Sequence, residues 1–393
     1  MQFQPTEDQQ AFQQTAERFA REKLAPTYLE RAAGHIFDRD LIREMGALGL
    51  IAPDLPEEFG GMGESAVTSG LITEAIAYSD FNASYIQLLG SLMGGMVAQH
   101  ASKEIAAEWV PKVISGDVVL GLGLTEPRGG SDAAGLQLKA VKDGNCWRLN
   151  GEKTSMSFAS QADAAVIFAR TGGEGTGSRG VSAFFVDLTT NGITRTHFDD
   201  IGTKPVGRGS VFFDNVFVPD ENMMAEEGRA FGTIMAGFDY SRALIGLECL
   251  GAAQASVDET WAYVQEREAF GTPIAQFQGV SFPLAEAETQ LTMMRQLCYY
   301  TLDMRDRGLP HTDKAAMCKW YLPKTCCEII HQCLILHGHY GYTTDLPHHQ
   351  RYNDVLGLQI GDGTAQIQKL VIAREKIGRV AVQYANQNKG AAK

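Results

Sequence analysis

The sequence predicts an α+β protein of several domains: an N-terminal helical domain, a central β domain and a C-terminal helical bundle. Apolar residues recur at helical spacing in the first and last thirds of the chain, and short β-type runs replace them in between. With 393 residues, 44% of them hydrophobic, the chain is long enough for two or three structural units. The predicted domains are 1–118, 119–228 and 229–393.

The first domain is predicted to open with a helix. Thr6 and Gln9 form a capping-box pattern, and apolar residues then recur at helical spacing until Pro26. Further helical patterns cover residues 39–49, 65–78, 83–100 and 102–115.

The central segment carries β patterns instead. They cover residues 146–149, 164–168, 181–186, 211–213 and 216–218, and Asn150-Gly151 predicts a turn after the first. The segment lacks the helices of about ten to fifteen residues that separate parallel strands. Gly121-Leu-Gly123 does not continue as G-x-G-x-x-G, so we expect no nicotinamide-binding sheet.

Long amphipathic patterns return after about residue 231. They include residues 282–307, 314–336 and 365–384, and four long helices of this kind predict a bundle.

Composition limits the partners and the location. A formal charge of −13 argues against nucleic acid and anionic membranes, so an anionic ligand needs locally placed basic groups. The N-terminus lacks an export pattern and no run of about 18 apolar residues occurs, so we expect a cytoplasmic protein. The odd number of cysteines and the absence of a C-x-x-C pair predict reduced core residues: Cys146, Cys249, Cys298, Cys318, Cys326, Cys327 and Cys333.

A lone carboxylate near the C-terminus is the most informative residue. Asp362 lies between Gly361 and Gly363, which leave its surroundings open to a ligand, and the hydrogen-bonding residues Thr364 and Gln366 follow. The alternative is a capping aspartate at a turn, and the local pattern alone favours it.

Motifs elsewhere in the sequence favour a ligand-binding role for Asp362 over the capping role. Leu124-Thr-Glu-Pro-Arg-Gly-Gly-Ser-Asp132 combines hydroxyls near both ends, a proline and adjacent glycines, which suits a binding loop. With it, the sequence resembles the acyl-CoA dehydrogenase family, flavoenzymes that remove hydrogen from the α and β carbons of acyl-CoA thioesters. Further motifs occur in the family's order: Pro56-Glu-Glu-Phe-Gly-Gly61, Asn150-Gly-Glu-Lys153, Phe238-Asp-Tyr-Ser-Arg242, Glu266-Arg267, Phe270-Gly271, Phe277-Gln278, Gly338 to Tyr342 and Gly363-Thr-Ala-Gln366.

The resemblance implies a fold, a cofactor and partners. The fold is an N-terminal helical domain, a central β-barrel-like domain and a C-terminal four-helix bundle. The assembly is a homotetramer with FAD at subunit interfaces, and electron-transfer flavoprotein is the expected electron acceptor. The implied cofactor-binding residues are Leu122, Leu124, Thr125, Ser131, Ser157, Arg267, Phe270, Gln278, Ile335, Gly338, Thr364 and Gln366.

Several of these residues carry specific implied roles. Ser157 takes the place of a hydroxyl that hydrogen-bonds flavin N5, and Arg267, with Phe270 and Gln278, meets the diphosphate and adenosine portion from the neighbouring subunit. Ile335 replaces a family glutamine, so contacts there depend on backbone groups. The implied substrate-binding residues are Ser131, Asp239, Arg242 and Gly363; for Asp239 and Arg242 the alternative is an i,i+3 ion pair.

By the same resemblance Asp362 removes the α-proton while flavin N5 accepts the β-hydride. The family ordinarily has Y-E-G-T here, so this base is shorter by roughly 1.5 Å and the tyrosine is missing. Ser155 also replaces a family tryptophan, and Ser241 leaves the other known base position empty. Together these changes predict an enlarged pocket for an alicyclic or α-branched acyl group such as cyclohexane-1-carboxyl-CoA. Residues 81–102 contain no charged side chain except for histidine, which favours an uncharged group.

Two alternatives remain at this point. Nitroalkane-oxidase-like relatives also use an aspartate base, but an arginine stands seven residues later, where this chain has Lys369. Non-catalytic FAD-binding relatives carry a basic C-terminal extension, which this sequence lacks. The histidines at positions 331, 337, 339, 348 and 349 match no metal pattern, so we expect no metal and assign them to the surface or an interface.

Overall fold

The computed structural model describes residues 4–173, 176–234 and 237–382, and it begins with a helical domain. Its helices are α1 (Glu7–Phe19), α2 (Tyr28–Ala33), α3 (Arg39–Ala47), α4 (Ala66–Ser79), α5 (Phe81–His100) and α6 (Lys103–Ile114). The predicted capping box forms at Thr6 and Gln9. Helix α5 is buried along most of its length, because it packs against α4, α6, the β domain and the C-terminal bundle.

The central domain is one mixed sheet of eight strands. The strands are β1 (Leu120–Gly123), β2 (Lys139–Asp143), β3 (Cys146–Met156), β4 (Ala164–Arg170), β5 (Val181–Asp187), β6 (Ile193–Arg195), β7 (Gly209–Pro219) and β8 (Met223–Met224). Their order is β6-β7-β3-β2-β4-β5-β8, and β1 pairs with β4 in parallel. Since β6 and β8 end this path without pairing to each other, the sheet is open over the residues that the structure describes, and the expected barrel does not close.

The predicted turn at Asn150-Gly151 was wrong. Strand β3 runs straight through it and pairs with β7, and the register shifts between Leu149 and Gly151. The Asn150 Oδ1 accepts a hydrogen bond from the Asn215 backbone N–H at 2.9 Å, while Gly151 adopts φ 140°. The dipeptide therefore forms a bulge inside a long strand.

The C-terminal domain is a helical bundle. It contains α7 (Ala230–Ile234), α8 (Phe238–Glu266), a short hairpin of β9 (Glu268–Ala269) and β10 (Thr272–Pro273), α9 (Gln278–Asp306), α10 (Thr312–Leu336), α11 (His348–Gly357) and α12 (Ala365–Ile377). Helix α10 packs against α8, α9 and α12, which gives the predicted four-helix arrangement. Helix α11 was not predicted, and α12 ends at Ile377 rather than at residue 384, which lies outside the described residues.

One buried carboxylate connects all three domains. Asp354 on α11 accepts hydrogen bonds from the Tyr28 hydroxyl at 2.8 Å and the Asn82 amide at 3.1 Å, both in the N-terminal domain. It also accepts a hydrogen bond from the Thr203 backbone N–H of the β domain at 2.6 Å. The predicted order of helical, β and helical domains is confirmed, and Asp354 holds these domains in one arrangement.

The cysteines are free, and all but half-buried Cys146 lie in the core. Burial raises the pKa of several of these thiols, so they remain protonated and inert, as predicted. No helix in the described part of the chain has the length and apolar character needed to cross a membrane.

Candidate active site

Asp362 lies in the loop between α11 and α12 in a left-handed conformation. Its φ is 53°, and that of the following Gly363 is 90°. Aspartate and asparagine tolerate this region better than most residues. The N-cap of α12 is Thr364, whose hydroxyl accepts a hydrogen bond from the Ile367 N–H at 3.4 Å. The carboxylate of Asp362 is therefore not the helix cap that its local sequence favoured.

The surroundings of Asp362 combine solvent access with desolvation. Solvent reaches its side chain, yet nearby protein atoms desolvate the carboxylate and raise its pKa. The positive charges of Lys319 and Arg242 oppose this shift and lower the pKa. A ligand can therefore reach a carboxylate that is already partly desolvated. Over the described residues neither this carboxylate nor the N–H groups of Asp362 and Gly363 form a hydrogen bond, so all remain available to a ligand.

Arg242 and Asp239 form the i,i+3 ion pair that was the alternative to a binding role. Their N–O distance is 2.6 Å, and the Thr312 hydroxyl donates to the other carboxylate oxygen of Asp239 at 2.6 Å. The Arg242 Nε is buried and has no partner among the described residues. Arg242 is thus fixed by Asp239, lies near Asp362 and keeps a buried, unused donor at Nε.

Sequence reasoning missed a buried acid on α8. Glu248 is fully buried, and its Oε1 lies 2.5 Å from the Ser84 hydroxyl oxygen, which also lies 2.7 Å from the Phe81 carbonyl oxygen. A serine hydroxyl carries one hydrogen and donates well to only one of these oxygens, so a proton on Glu248 would allow both contacts to be full hydrogen bonds. Desolvation raises the pKa of Glu248 well above its ordinary value, which also favours the neutral acid.

The glycine-rich loop of the β domain, residues 124–132, is anchored by hydrogen bonds and an ion pair of Glu126. Glu126 accepts hydrogen bonds from the N–H groups of Gln137 at 2.6 Å and Leu138 at 2.8 Å. It also pairs at 2.7 Å with the buried Lys153 of β3, whose ammonium donates to the Leu124 carbonyl at 3.1 Å. The acidic and basic residues of these two motifs therefore hold the loop in place.

Three hydroxyls predicted to contact FAD are free of partners. Thr125 and Ser157 are half-buried and Ser131 is exposed, and none of the three hydroxyls forms a hydrogen bond over the described residues. Next to them, Ser155 adopts φ 54° at a second register shift of β3 and accepts a hydrogen bond from Arg208 at 3.1 Å. Unpaired hydroxyls beside an open bulge suit a polar ring system such as a flavin.

A second set of predicted cofactor-binding residues is exposed, and it includes the three that were predicted to reach a neighbouring subunit, Arg267, Phe270 and Gln278. The structure leaves exposed Arg267, Phe270, Gln278, Ile335, Gly338 and Gln366. Tyr263 stacks on His337 with ring centroids 4.3 Å apart, which brings the end of α8 beside the segment that contains Gly338. Phe270 is 96% exposed at φ 54°, an unfavourable conformation for an aromatic residue on a free surface.

The histidines correct one expectation. His337 and His348 are buried, with ring centroids 4.4 Å apart, rather than lying on the surface of the protomer. Over the described residues no group of three or more side chains could hold a metal ion.

Comparison with known proteins identifies the family of this chain. The acyl-CoA dehydrogenase N-terminal, middle and C-terminal domains match residues 6–117, 121–216 and 228–377. Short-chain specific acyl-CoA dehydrogenase of Rattus norvegicus is 32% identical over 93% of this chain and 89% of its own length.

Two further relatives come from bacteria. Caffeyl-CoA reductase-Etf complex subunit CarC of Acetobacterium woodii is 31% identical over 94% of this chain and 98% of its own length. The structure of butyryl-CoA dehydrogenase from Megasphaera elsdenii superposes with a TM-score of 0.92 at 30% identity, covering 96% of this chain and all of that one. The chain therefore belongs to the acyl-CoA dehydrogenase family, whose members are FAD-dependent enzymes that act on the CH–CH bond of acyl-CoA thioesters.

Proposed function

We propose that this enzyme dehydrogenates an uncharged alicyclic or α-branched acyl-CoA thioester, with cyclohexane-1-carboxyl-CoA as the first candidate. Asp362 removes the α-proton. The observation that carries the proposal is the left-handed Asp362 between two glycines, with its carboxylate and adjacent N–H groups unpaired over the described residues. A base and hydrogen-bond donors for a thioester oxygen are then close together, as α-proton removal requires.

The space beside the base supports a bulky acyl group. A Cβ built on Gly361 would have a single neighbour within 4 Å, the Gly357 carbonyl oxygen at 3.6 Å. The missing tyrosine ring is therefore not replaced by another side chain at this point. A branched or cyclic substituent on the α-carbon would fill the room and bring that carbon nearer to the short base.

The charge around the base supports an uncharged acyl group. Helix α5 carries no acidic residue, lysine or arginine, and burial raises the pKa of the nearby Glu248, which favours its neutral form. Among the described residues, the cations that act on the Asp362 carboxylate are Lys319 and Arg242, and both already face it rather than a distal carboxylate of the substrate.

The proposed binding residues divide between cofactor and substrate. FAD would be held by Thr125, Ser131 and Ser157 with Leu122 and Leu124, and when bound it supplies the hydride acceptor. Arg242, Asp239 and Ser131 hold the coenzyme A thioester. The Gly363 or Asp362 N–H polarises its carbonyl.

The assembly and the electron acceptor belong to the same proposal. A homotetramer would cover the exposed Phe270 and Tyr342, which are 96% and 91% exposed in the protomer, and would bring Arg267 and Gln278 to the neighbour's FAD. Thr364 and Gln366 would add phosphate or ribose contacts. Electron-transfer flavoprotein is the proposed acceptor, and one relative is itself named as a subunit of an Etf complex.

Anaerobic mixing of the holoenzyme with cyclohexane-1-carboxyl-CoA, butyryl-CoA and nitroethane tests the function. We expect the flavin absorbance to bleach fastest with the cyclic thioester. Preference for butyryl-CoA would overturn the proposed substrate and leave the reaction class intact. Bleaching by nitroethane alone would overturn the dehydrogenase reaction.

Asp362→Asn tests the role of the base. Asparagine keeps the shape and the tolerance for positive φ but cannot accept the α-proton, so we expect bleaching to slow by about 10³-fold or more. FAD content and binding of the coenzyme A ester should persist. Asp362→Glu is the matched control: it retains a base, and its extra reach should shift preference toward butyryl-CoA. Normal reduction of Asp362→Asn would place the base elsewhere.

A further inference from the structure

The loop that carries Asp362 has few anchors of its own. Between Gly357 and Thr364 the chain forms turns, in which the N–H groups of Ile360 and Gly361 donate to the Gly357 carbonyl at 3.1 and 3.0 Å. The side chain of Ile360 is 69% exposed and does not hold the loop in the core. The position of the base therefore depends on groups from outside the loop.

One buried cation supplies anchors at both ends. Lys319, in the N-terminal half of α10, is 1% exposed, and its ammonium donates to the carbonyls of Leu358 at 2.5 Å and Gly363 at 3.4 Å. Gln368 on α12 adds an uncharged clamp, because its amide donates to the carbonyls of Asp362 at 3.1 Å and Gly363 at 3.3 Å.

The charge of Lys319 also acts on the base. Burial lowers the pKa of Lys319 to about 8 while the Asp362 charge opposes this shift, so the ammonium is largely charged at neutral pH. The other groups near the pair are Arg242, the neutral Glu248 and the thiol of Cys249 on α8, and Tyr85 on α5. Lys319 and Arg242 are thus the cations that favour ionised Asp362.

We propose that Lys319 is a positioning residue for Asp362, which fixes the loop through two main-chain carbonyls and places a positive charge beside the base. The catalytic part of this proposal rests on the proposed function, whereas the structural part does not. Burial of a charged lysine that has no hydrogen bond to a carboxylate destabilises the folded protein. Anchoring the loop and placing a charge beside Asp362 give a physical reason for Lys319 at this position.

The test compares Lys319→Met with Gln368→Met in the holoenzyme. Each substitution removes hydrogen bonds to the loop, but only the first removes a charge. We expect Lys319→Met to slow flavin reduction by the cyclic thioester about 10- to 100-fold, since a displacement of about 1 Å costs on the order of a hundredfold. The acid limb of its rate profile should also move to higher pH. Gln368→Met should slow the reaction and leave the acid limb in place.

Hydrogen exchange provides a readout that needs no substrate. The amides of Ile360 and Gly361 should exchange at least about tenfold faster in Lys319→Met than in the wild type. Unchanged exchange would overturn the anchoring role, and an unshifted acid limb would overturn the electrostatic role. If Lys319→Met does not fold, hydrogen exchange of the wild type at different pH values tests the same role. Lys319 loses its proton above about pH 8, so the loop amides should then exchange faster than the intrinsic effect of pH alone predicts. If no thioester reduces the wild-type flavin, the proposed function is wrong, but hydrogen exchange still tests whether Lys319 anchors the loop.

Discussion

Replacing Glu248 with glutamine tests whether a carboxylic acid is held protonated between α5 and α8. The Nε2 of glutamine can donate to the Ser84 hydroxyl, which in turn donates to the Phe81 carbonyl, and the amide oxygen can take the place of Oε2. Glutamine therefore reproduces the hydrogen bonds of the neutral acid without a titratable proton. The variant should fold, and its advantage should depend on pH.

The size of that advantage follows from proton linkage. Glu248 has an ordinary pKa of 4.5, which burial raises well above that value in the folded protein. Between the pKa of Glu248 in the unfolded chain and its pKa in the folded protein, unfolding releases a proton. The Glu248 contribution to stability is therefore present at low pH and falls as pH rises. The slope is about 1.4 kcal/mol per pH unit for one proton. From pH 5 up to the pKa of Glu248 in the folded protein, the variant should gain stability relative to the wild type at about this slope.

Urea unfolding of the two holoproteins at pH 5, 6 and 7, at one fixed FAD concentration, measures this difference. Glu74→Gln is the control, because Glu74 pairs with Arg295 at 2.7 Å and accepts a hydrogen bond from Tyr299 at 2.6 Å. Its neutralisation leaves a cation unpaired, so the control should be destabilised at neutral pH. A gap between Glu248→Gln and the wild type that stays constant or shrinks with pH would show that Glu248 is ionised in the folded protein.

Two further predictions concern the domain junction and the cofactor. Asp354→Ala should lower the free energy of unfolding by about 3 kcal/mol or more, because donors from two other domains lose their acceptor; coincident unfolding of all three domains at the wild-type urea midpoint would contradict this. Arg267→Ala should reduce the FAD content of the purified protein at least about tenfold, whereas Arg307→Ala on the exposed end of α9 should not; equal FAD contents would remove Arg267 from the cofactor site.

The helices and the family were predictable because both leave local signals. Periodic apolar residues located α4, α5 and α10, and dispersed motifs indicated the family and singled out Asp362 as the candidate base. The Asn150-Gly151 dipeptide misled, although it is a strong hairpin signal. Long-range pairing of β3 with β7 outweighs that local preference, and the two residues are absorbed as a bulge. Helix α11 carries too few apolar residues at regular spacing to be recognised.

The electrostatics of the site were not predictable from the same patterns. Lys319 and Glu248 occupy helices whose charged residues usually face water, and only folding shows that both are buried beside Asp362. One signal was available: each stands as a single charge inside an apolar run, Ala315 to Leu322 for Lys319 and Leu244 to Leu250 for Glu248. A single charged residue within an apolar run indicates a side chain that is buried with a partner rather than exposed to water.

The contacts of Asp354 also set a timetable for biosynthesis. Tyr28 and Asp354 are separated by 326 residues, and Asn82 and Asp354 by 272. At about 5–20 residues per second, a ribosome needs about 16–65 s to travel from the Tyr28 codon to the Asp354 codon. During that interval the nascent N-terminal helices lack the acceptor that later holds them. Until Asp354 has left the ribosome, the contacts between α4 and α5 must stabilise these helices without it.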